Sequence, residues 1–117
     1  MNIHLFDRDQ QAEAHEAGHV IFREGDPGAH MYAVIDGSVD IIIRGKTVET
    51  VGPGGVFGEM ALVEDRARIA TAQVKTPAKI VQIDRKRFEF LVQQNPYFAL
   101  QLMAVMAQRL RRMDEKL

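Results

Sequence analysis

At 117 residues, 46% hydrophobic and 26% charged, the chain has the size and composition of one ordinary domain built round one core. A net charge of -1 gives no bulk field that would draw it to nucleic acid or anionic lipid. With zero cysteines, disulfides, thiolate nucleophiles and cysteine-ligated metals are all excluded.

The chain opens on Met1-Asn2-Ile3-His4-Leu5-Phe6-Asp7, which lacks the basic and apolar regions of a secretory leader. No apolar run approaches the roughly 20 residues that span a bilayer, so a cytoplasmic location without membrane contact is expected. Residues 1–18 are polar and poorly periodic, with Ile3, Leu5 and Phe6 as the evident anchors. From Gly18 onward, short apolar runs alternate with glycine turns. His19–Arg23 reads as a strand and Gly25-Asp26-Pro27-Gly28 as a turn. Met31–Ile35 and Ser38–Arg44 read as two strands of a hairpin turned by Asp36-Gly37, and Gly45-Lys46 leads into another at Thr47–Val51. Short strands at this spacing suggest an antiparallel barrel or sandwich.

The glycine-rich Gly52-Pro53-Gly54-Gly55 precedes a single helical turn or two at Gly58–Val63. Ala67–Val74 alternates as a strand, and Lys79–Ile83 reads as the last strand, after Thr76-Pro77. Asp84 is placed to cap a helix over about Arg85–Gln94. Asn95-Pro96 breaks that helix, and a longer one runs from Tyr97 to about Met113. A β-core over about 16–84 is thus followed by a helical pair over about 85–113, all within one domain, 1–117.

Chemistry concentrates in residues 57–71. Glu59 lies inside an apolar run, and Arg68 shares a strand face with Ala70, Ala72 and Val74, which leave room beside its guanidinium. Burying either charge alone costs several kcal/mol, so each needs a partner. A guanidinium fork suits an oxyanion, and an ionised carboxylate, which only accepts, suits a hydroxyl. Backbone amides that follow Gly58 can face the same anion. A sugar phosphate meets both demands. The same spacing also allows Glu59 and Arg68 to pair with each other, or with Arg66 or Asp65.

These residues resemble a known family. Phe57-Gly58-Glu59-Met60-Ala61-Leu62, with Arg68 and Ala70-Thr71, resembles the phosphate-binding cassette of cyclic nucleotide-binding domains. Val20–Gly28, Met31-Tyr32 and Asp36–Val39 resemble the opening strands of that domain; Phe88, Leu91, Asn95-Pro96 and Arg109–Arg112 resemble its closing helices. The resemblance covers about residues 16–113. It implies a mainly β fold with flanking helices: an eight-stranded antiparallel β-roll of jelly-roll type, a short cassette helix and two C-terminal helices. It implies that cAMP or cGMP is the ligand, with no cofactor. The ribose 2′-hydroxyl would lie on Glu59, the cyclic phosphate on Arg68, and backbone amides round Gly58, Met60, Ala61 and Ala70 would complete the cradle. Two positions depart from the family. Ala67 replaces its usual proline, and Ile69 replaces a small or hydroxylated residue that often bonds the phosphate. A ligand-binding regulatory module is expected; the alternative is a β-roll interaction module with a degenerate pocket.

On the last helix, Ala99, Met103, Met106, Leu110, Met113 and Leu117 repeat as a coiled-coil seam, beside a second stripe of Phe98, Leu102 and Val105. One stripe can pack on the roll and the other on a partner, or both on the roll. The resemblance implies dimerisation along this helix through Met103, Met106, Leu110 and Met113. It also implies that the helix lids the base through Met103 or a neighbour and relays occupancy to a protein effector. The basic residues Arg109, Arg111, Arg112 and Lys116 are diluted by Asp114 and Glu115 and suit a helix C-terminus, so direct DNA binding is not expected. His4, His15, His19 and His30 read as turn or solvated histidines rather than metal ligands. No catalytic constellation stands out, and an enzyme is not expected.

Overall fold

A computed structural model describes residues 2–115, with side chains to residue 112. Its frame is one long antiparallel pair: β3 (His30–Ile43) runs against β6 (Thr71–Asp84), from His30↔Asp84 to Ile42↔Thr71. Along the outer edge of β6 lie β1 (Glu13–His15) and β2 (Val20–Phe22). Along the outer edge of β3 lie β4 (Lys46–Val51) and β5 (Val56–Phe57). Arg44 and Gly45, both at positive φ (53° and 77°), make the β3–β4 turn, as a two-residue hairpin matched to strand twist requires.

Among the described residues the sheet has six strands, not the expected eight, because two local turn signals do not turn the chain. Asp36-Gly37 lies inside β3, and Thr76-Pro77 lies inside β6, so Lys79–Ile83 is a continuation of β6 rather than a separate strand. The two signals meet across the pair. The register shifts on both sides of Gly37, between Asp36↔Lys79 and Ser38↔Thr76, and a Cβ on Gly37 (φ 77°) would land on the Pro77 carbonyl. Proline brings no donor to the ladder, and glycine leaves room for the Pro77–Ala78 backbone; the pair bends there without ending. Each long strand thereby serves two parts of the roll.

Among the described residues there are three helices: α1 (Met60–Val63), α2 (Arg85–Gln94) and α3 (Pro96–Glu115). Asp84 caps α2 as expected, accepting from the Arg87 amide at 2.8 Å. Asn95 ends α2, and Pro96 occupies the first position of α3, where its missing N–H costs nothing.

Two apolar clusters follow from strand alternation. One, inside the roll, joins Phe22, Val34, Val39, Phe57, Ala72, Val74 and Ile80. The other, under the helices, joins Met31, Ala33, Leu62, Val81 and Ile83 to Phe98, Leu102 and Val105 of α3. Ile3 and Phe6 complete it, with Phe6 edge-on to Phe98 at 5.9 Å. Leu5, expected as a third anchor, is instead 46% exposed. β1 carried no apolar signal, and its strand state comes from pairing with Ala78, Lys79 and Ile80.

Candidate functional site

The cassette is built where β5 runs into α1. Gly58 links them at φ 75°, a conformation that favours glycine, and Glu59 takes helical angles as the residue that opens α1. Only four residues long, α1 buries Ala61 and Leu62 and leaves Met60 41% exposed. The Ala61 amide already donates to the Gly58 carbonyl, at 3.3 Å.

Arg68 lies just before β6, not within it as the alternation implied, yet the facing holds: Arg68, Ala70, Ala72 and Val74 are buried while Ile69 is 66% exposed. Its backbone is fixed by the loop ahead of β3, since the Arg68 amide donates to Asp26 O and the Gly25 amide to Arg68 O, both at 2.8 Å. The guanidinium is buried between glycines. A Cβ on Gly28 would stand 2.9 Å from Arg68 Nε and 2.7 Å from Ala61 Cβ, and one on Gly58 would stand 2.9 Å from Arg68 Nη1. Gly25–Gly28, read from the sequence as a turn, is therefore also a wall of the arginine pocket.

Among the described residues no carboxylate hydrogen-bonds Arg68: Nη1 donates to Gly58 O at 2.8 Å, Nη2 donates to His30 O at 2.6 Å, and the buried Nε has no partner there. The Phe22 ring lies 4.0 Å from the guanidinium carbon and Tyr32 lies 5.8 Å away, so the cation rests on aromatic faces. Burial lowers the Arg68 pKa, partly offset by Tyr32, Glu59 and Asp26; burial raises that of Tyr32, with Arg68 opposing. A buried cation whose hydrogen-bond acceptors are neutral carbonyls, with an N–H unpaired, keeps donor capacity for an oxyanion.

Glu59 is 4% exposed, and its partner is none of those the spacing suggested. Arg66 pairs with Glu64 at 3.1 Å, and Arg68 is engaged as described. Arg109 of α3 reaches Glu59 instead, donating from Nη1 to Oε1. The same guanidinium grips Glu49 of β4 at both ends, Nε to Oε1 and Nη2 to Oε2, each at 3.0 Å, and also donates to Val56 O. Arg112 joins the network at 3.5 Å from Glu49 Oε1. Burial works to lower the Arg109 pKa, but the hydrogen bonds and charges of Glu49 and Glu59 outweigh it and raise it.

Reading Arg109 as part of a basic tail missed this role. The signal was present: Phe98, Leu102, Val105 and Arg109 fall on one helical stripe, and the first three are buried. Met103, expected over the ligand, is 62% exposed, and it is Arg109 that meets the cassette. A cleft of about 210 Å³ separates α3 from the β4–β5 turn, lined by Glu49, Gly52, Val56, Val105, Arg109 and Arg112.

Of the expected seam, Met103 and Leu110 are exposed, while Met106 packs against the core under the helices; the Met113 side chain, Lys116 and Leu117 lie outside the described residues. His15 stacks on His19 at 4.7 Å and His4 bonds Asp7 at 3.0 Å; among the described residues no group of three or more His, Asp or Glu could hold a metal. No helix among them is long and apolar enough to cross a membrane.

Comparison with known proteins places this arrangement. The family profile described as cyclic nucleotide-binding domain matches residues 12–95. The CRP-like cAMP-activated global transcriptional regulator of Mycobacterium tuberculosis is 32% identical over 105 residues, covering 86% of this chain and 47% of the relative. The cAMP-dependent protein kinase regulatory subunit of Schizosaccharomyces pombe is 36% identical over 83 residues, covering 70% of this chain and 20% of the relative. Among solved structures, the catabolite activator protein of Thermus thermophilus superposes with a TM-score of 0.81 at 31% identity, over 91% of this chain and 52% of that one. The chain thus spans less than half the length of the curated relatives it matches.

Proposed function

The chain belongs to the cyclic nucleotide-binding domain family, and from that premise we propose that it is a cytoplasmic regulatory module that binds cAMP or cGMP in the cassette. Arg68 takes the cyclic phosphate with the backbone of Gly58, Met60, Ala61, Ile69 and Ala70, and Glu59 takes the ribose 2′-hydroxyl. The observation that carries this reading is the state of Arg68, a buried cation with, among the described residues, an unpartnered Nε and no carboxylate bonded to it. The names of the relatives, cAMP-activated and cAMP-dependent, support the ligand class. No cofactor and no turnover are part of the proposal.

Relay follows from one connection. Arg109 bonds Glu59 from α3, so what happens at the carboxylate is felt by the helix. The exposed stripe of Leu100, Met103 and Leu110 on α3 offers that helix to a second copy, or to a protein effector. Arg109 is committed to two carboxylates, so it is not available to a DNA phosphate.

The alternative, a β-roll interaction module that binds no nucleotide, is favoured by the fact that two Arg68 nitrogens and one Glu59 oxygen already have protein partners. Calorimetric titration of the chain with cAMP and with cGMP separates the two. A micromolar or tighter constant that Arg68→Ala abolishes is the expected result. Absence of heat and of any thermal shift at millimolar nucleotide leaves the interaction module standing.

A further inference from the structure

Glu59 must do two things at once: neutralise a buried guanidinium and keep an oxygen for a hydroxyl. The arrangement round Arg109 shows how both are met. Arg109 reaches Glu59 with one nitrogen only, Nη1, and only to Oε1. Its other edge, Nε with Nη2, is closed on both oxygens of Glu49 in the paired fork geometry that guanidinium and carboxylate prefer. The Glu49 side chain is 21% exposed, as is that of Arg109, so neither charge is free in solvent. Arg112 stands 3.5 Å from Glu49 Oε1, the oxygen that also accepts from Arg109 Nε, which makes four alternating charges from Arg112 to Glu59.

We infer that Glu49 is a positioning residue for the ligand-binding carboxylate: by occupying the bidentate edge of Arg109 it prevents that edge from closing on Glu59. The inference rests on the nucleotide-binding reading given above. Deprived of Glu49, the part-buried guanidinium is left with Glu59 as its one other carboxylate partner among the described residues. Turning its fork onto Glu59 would engage Oε1 and Oε2 together and leave the 2′-hydroxyl to compete with a charged pair. β4, which touches neither the phosphate arginine nor the cassette glycine in the interactions described, thereby sets the acceptor strength of the site through an arginine on α3.

The test compares two ligands on two proteins. Cyclic AMP and its 2′-deoxy analogue are titrated calorimetrically into the full chain and into Glu49→Gln. In Glu49→Gln, affinity for cyclic AMP falls by about tenfold, the loss of one hydrogen bond to a charged group, while affinity for the 2′-deoxy analogue changes by less than about twofold. Glu49→Asp, which keeps the charge, restores most of the preference for the 2′-hydroxyl. An equal loss for both ligands, or tighter cyclic AMP binding in Glu49→Gln, overturns the inference and leaves nucleotide binding intact. If the unmutated chain binds neither ligand, the functional reading fails and the inference falls with it. Should Glu49→Gln not fold, Glu49→Ala takes its place with the same two ligands; an unchanged preference for the 2′-hydroxyl in that variant refutes the inference.

Discussion

Arg109 on α3 and Glu59 in the cassette, 50 residues apart in sequence, form a part-buried ion pair that joins the C-terminal helix to the turn that opens α1. The pair is held on one side by Glu49 and capped by the Val56 carbonyl. Removing one member of such a pair leaves the other charge with little solvent to receive it, which is more damaging than never having had the pair.

Arg109→Met is therefore expected to destabilise the chain by about 3 kcal/mol, the lower end of the range for a broken buried pair, because Arg109 keeps some solvent. Adding Glu59→Gln to that variant should recover part of the loss. Urea denaturation of the two single variants and the double variant measures it; simple additivity would show that Arg109 and Glu59 do not act together.

Gly28→Ala tests the arginine pocket without touching a charge. The new methyl would stand 2.7 Å from Ala61 Cβ and 2.9 Å from Arg68 Nε, so something must move. A loss of about 1–3 kcal/mol in stability is expected, as for other overpacked sites, with weaker nucleotide binding because Arg68 is displaced. Denaturation and titration of the same sample read both effects, and a variant indistinguishable from the parent refutes the tight fit.

Ile69 is 66% exposed, so its replacement carries no core penalty. Ile69→Ser supplies, next to Arg68 in the chain, the hydroxyl often found at this position in the family, and in the proposed complex a further bond to the cyclic phosphate becomes available. Nucleotide affinity should rise by roughly fivefold, the effect of one net hydrogen bond, with unchanged thermal stability. Equal or weaker binding by titration contradicts this role for the position.

Asp9 supplies the pH dependence. Burial works to raise its pKa, but the Arg87 hydrogen bond, the Gln11 amide and the Arg87 charge prevail and hold it below the ordinary aspartate value. A carboxylate with a depressed folded-state pKa contributes stability that is fully present above its unfolded value, about 3.9, and is lost as pH falls through the folded value. Asp9→Asn should lower stability at pH 7 by about 1–3 kcal/mol and flatten the acid limb below about pH 4. Melting temperatures from pH 2 to 7 for both proteins check the window; parallel curves exclude Asp9 as a source.

What could be read from the sequence follows a physical division. The Asp84 cap, the Asn95-Pro96 break and the burial alternation from Arg68 to Val74 are encoded by neighbours, and the structure holds them where the spacing placed them. Gly37 and Pro77 are different: each is a turn residue by local chemistry, and only their meeting across β3 and β6 makes them a bend. Arg109 was legible as a helix position but not as a partner of Glu49 and Glu59, because charge composition is local and the pairing spans the fold. β1, Glu-Ala-His, has no strand pattern of its own and takes its state from the β6 edge.

The long pairing of β3 with β6 also orders events in time. The cassette, residues 57–71, lies between the two strands in sequence, so its ends are brought together only when that pair closes. Pairings between distant segments carry the loop-closure entropy that slows folding of β-rich domains. A chain still emerging from the ribosome holds Glu59 and Arg68 but not the β6 strand or Arg109 that frame them. The cassette is therefore framed only after β6 has paired with β3 and α3 has brought Arg109 to Glu59.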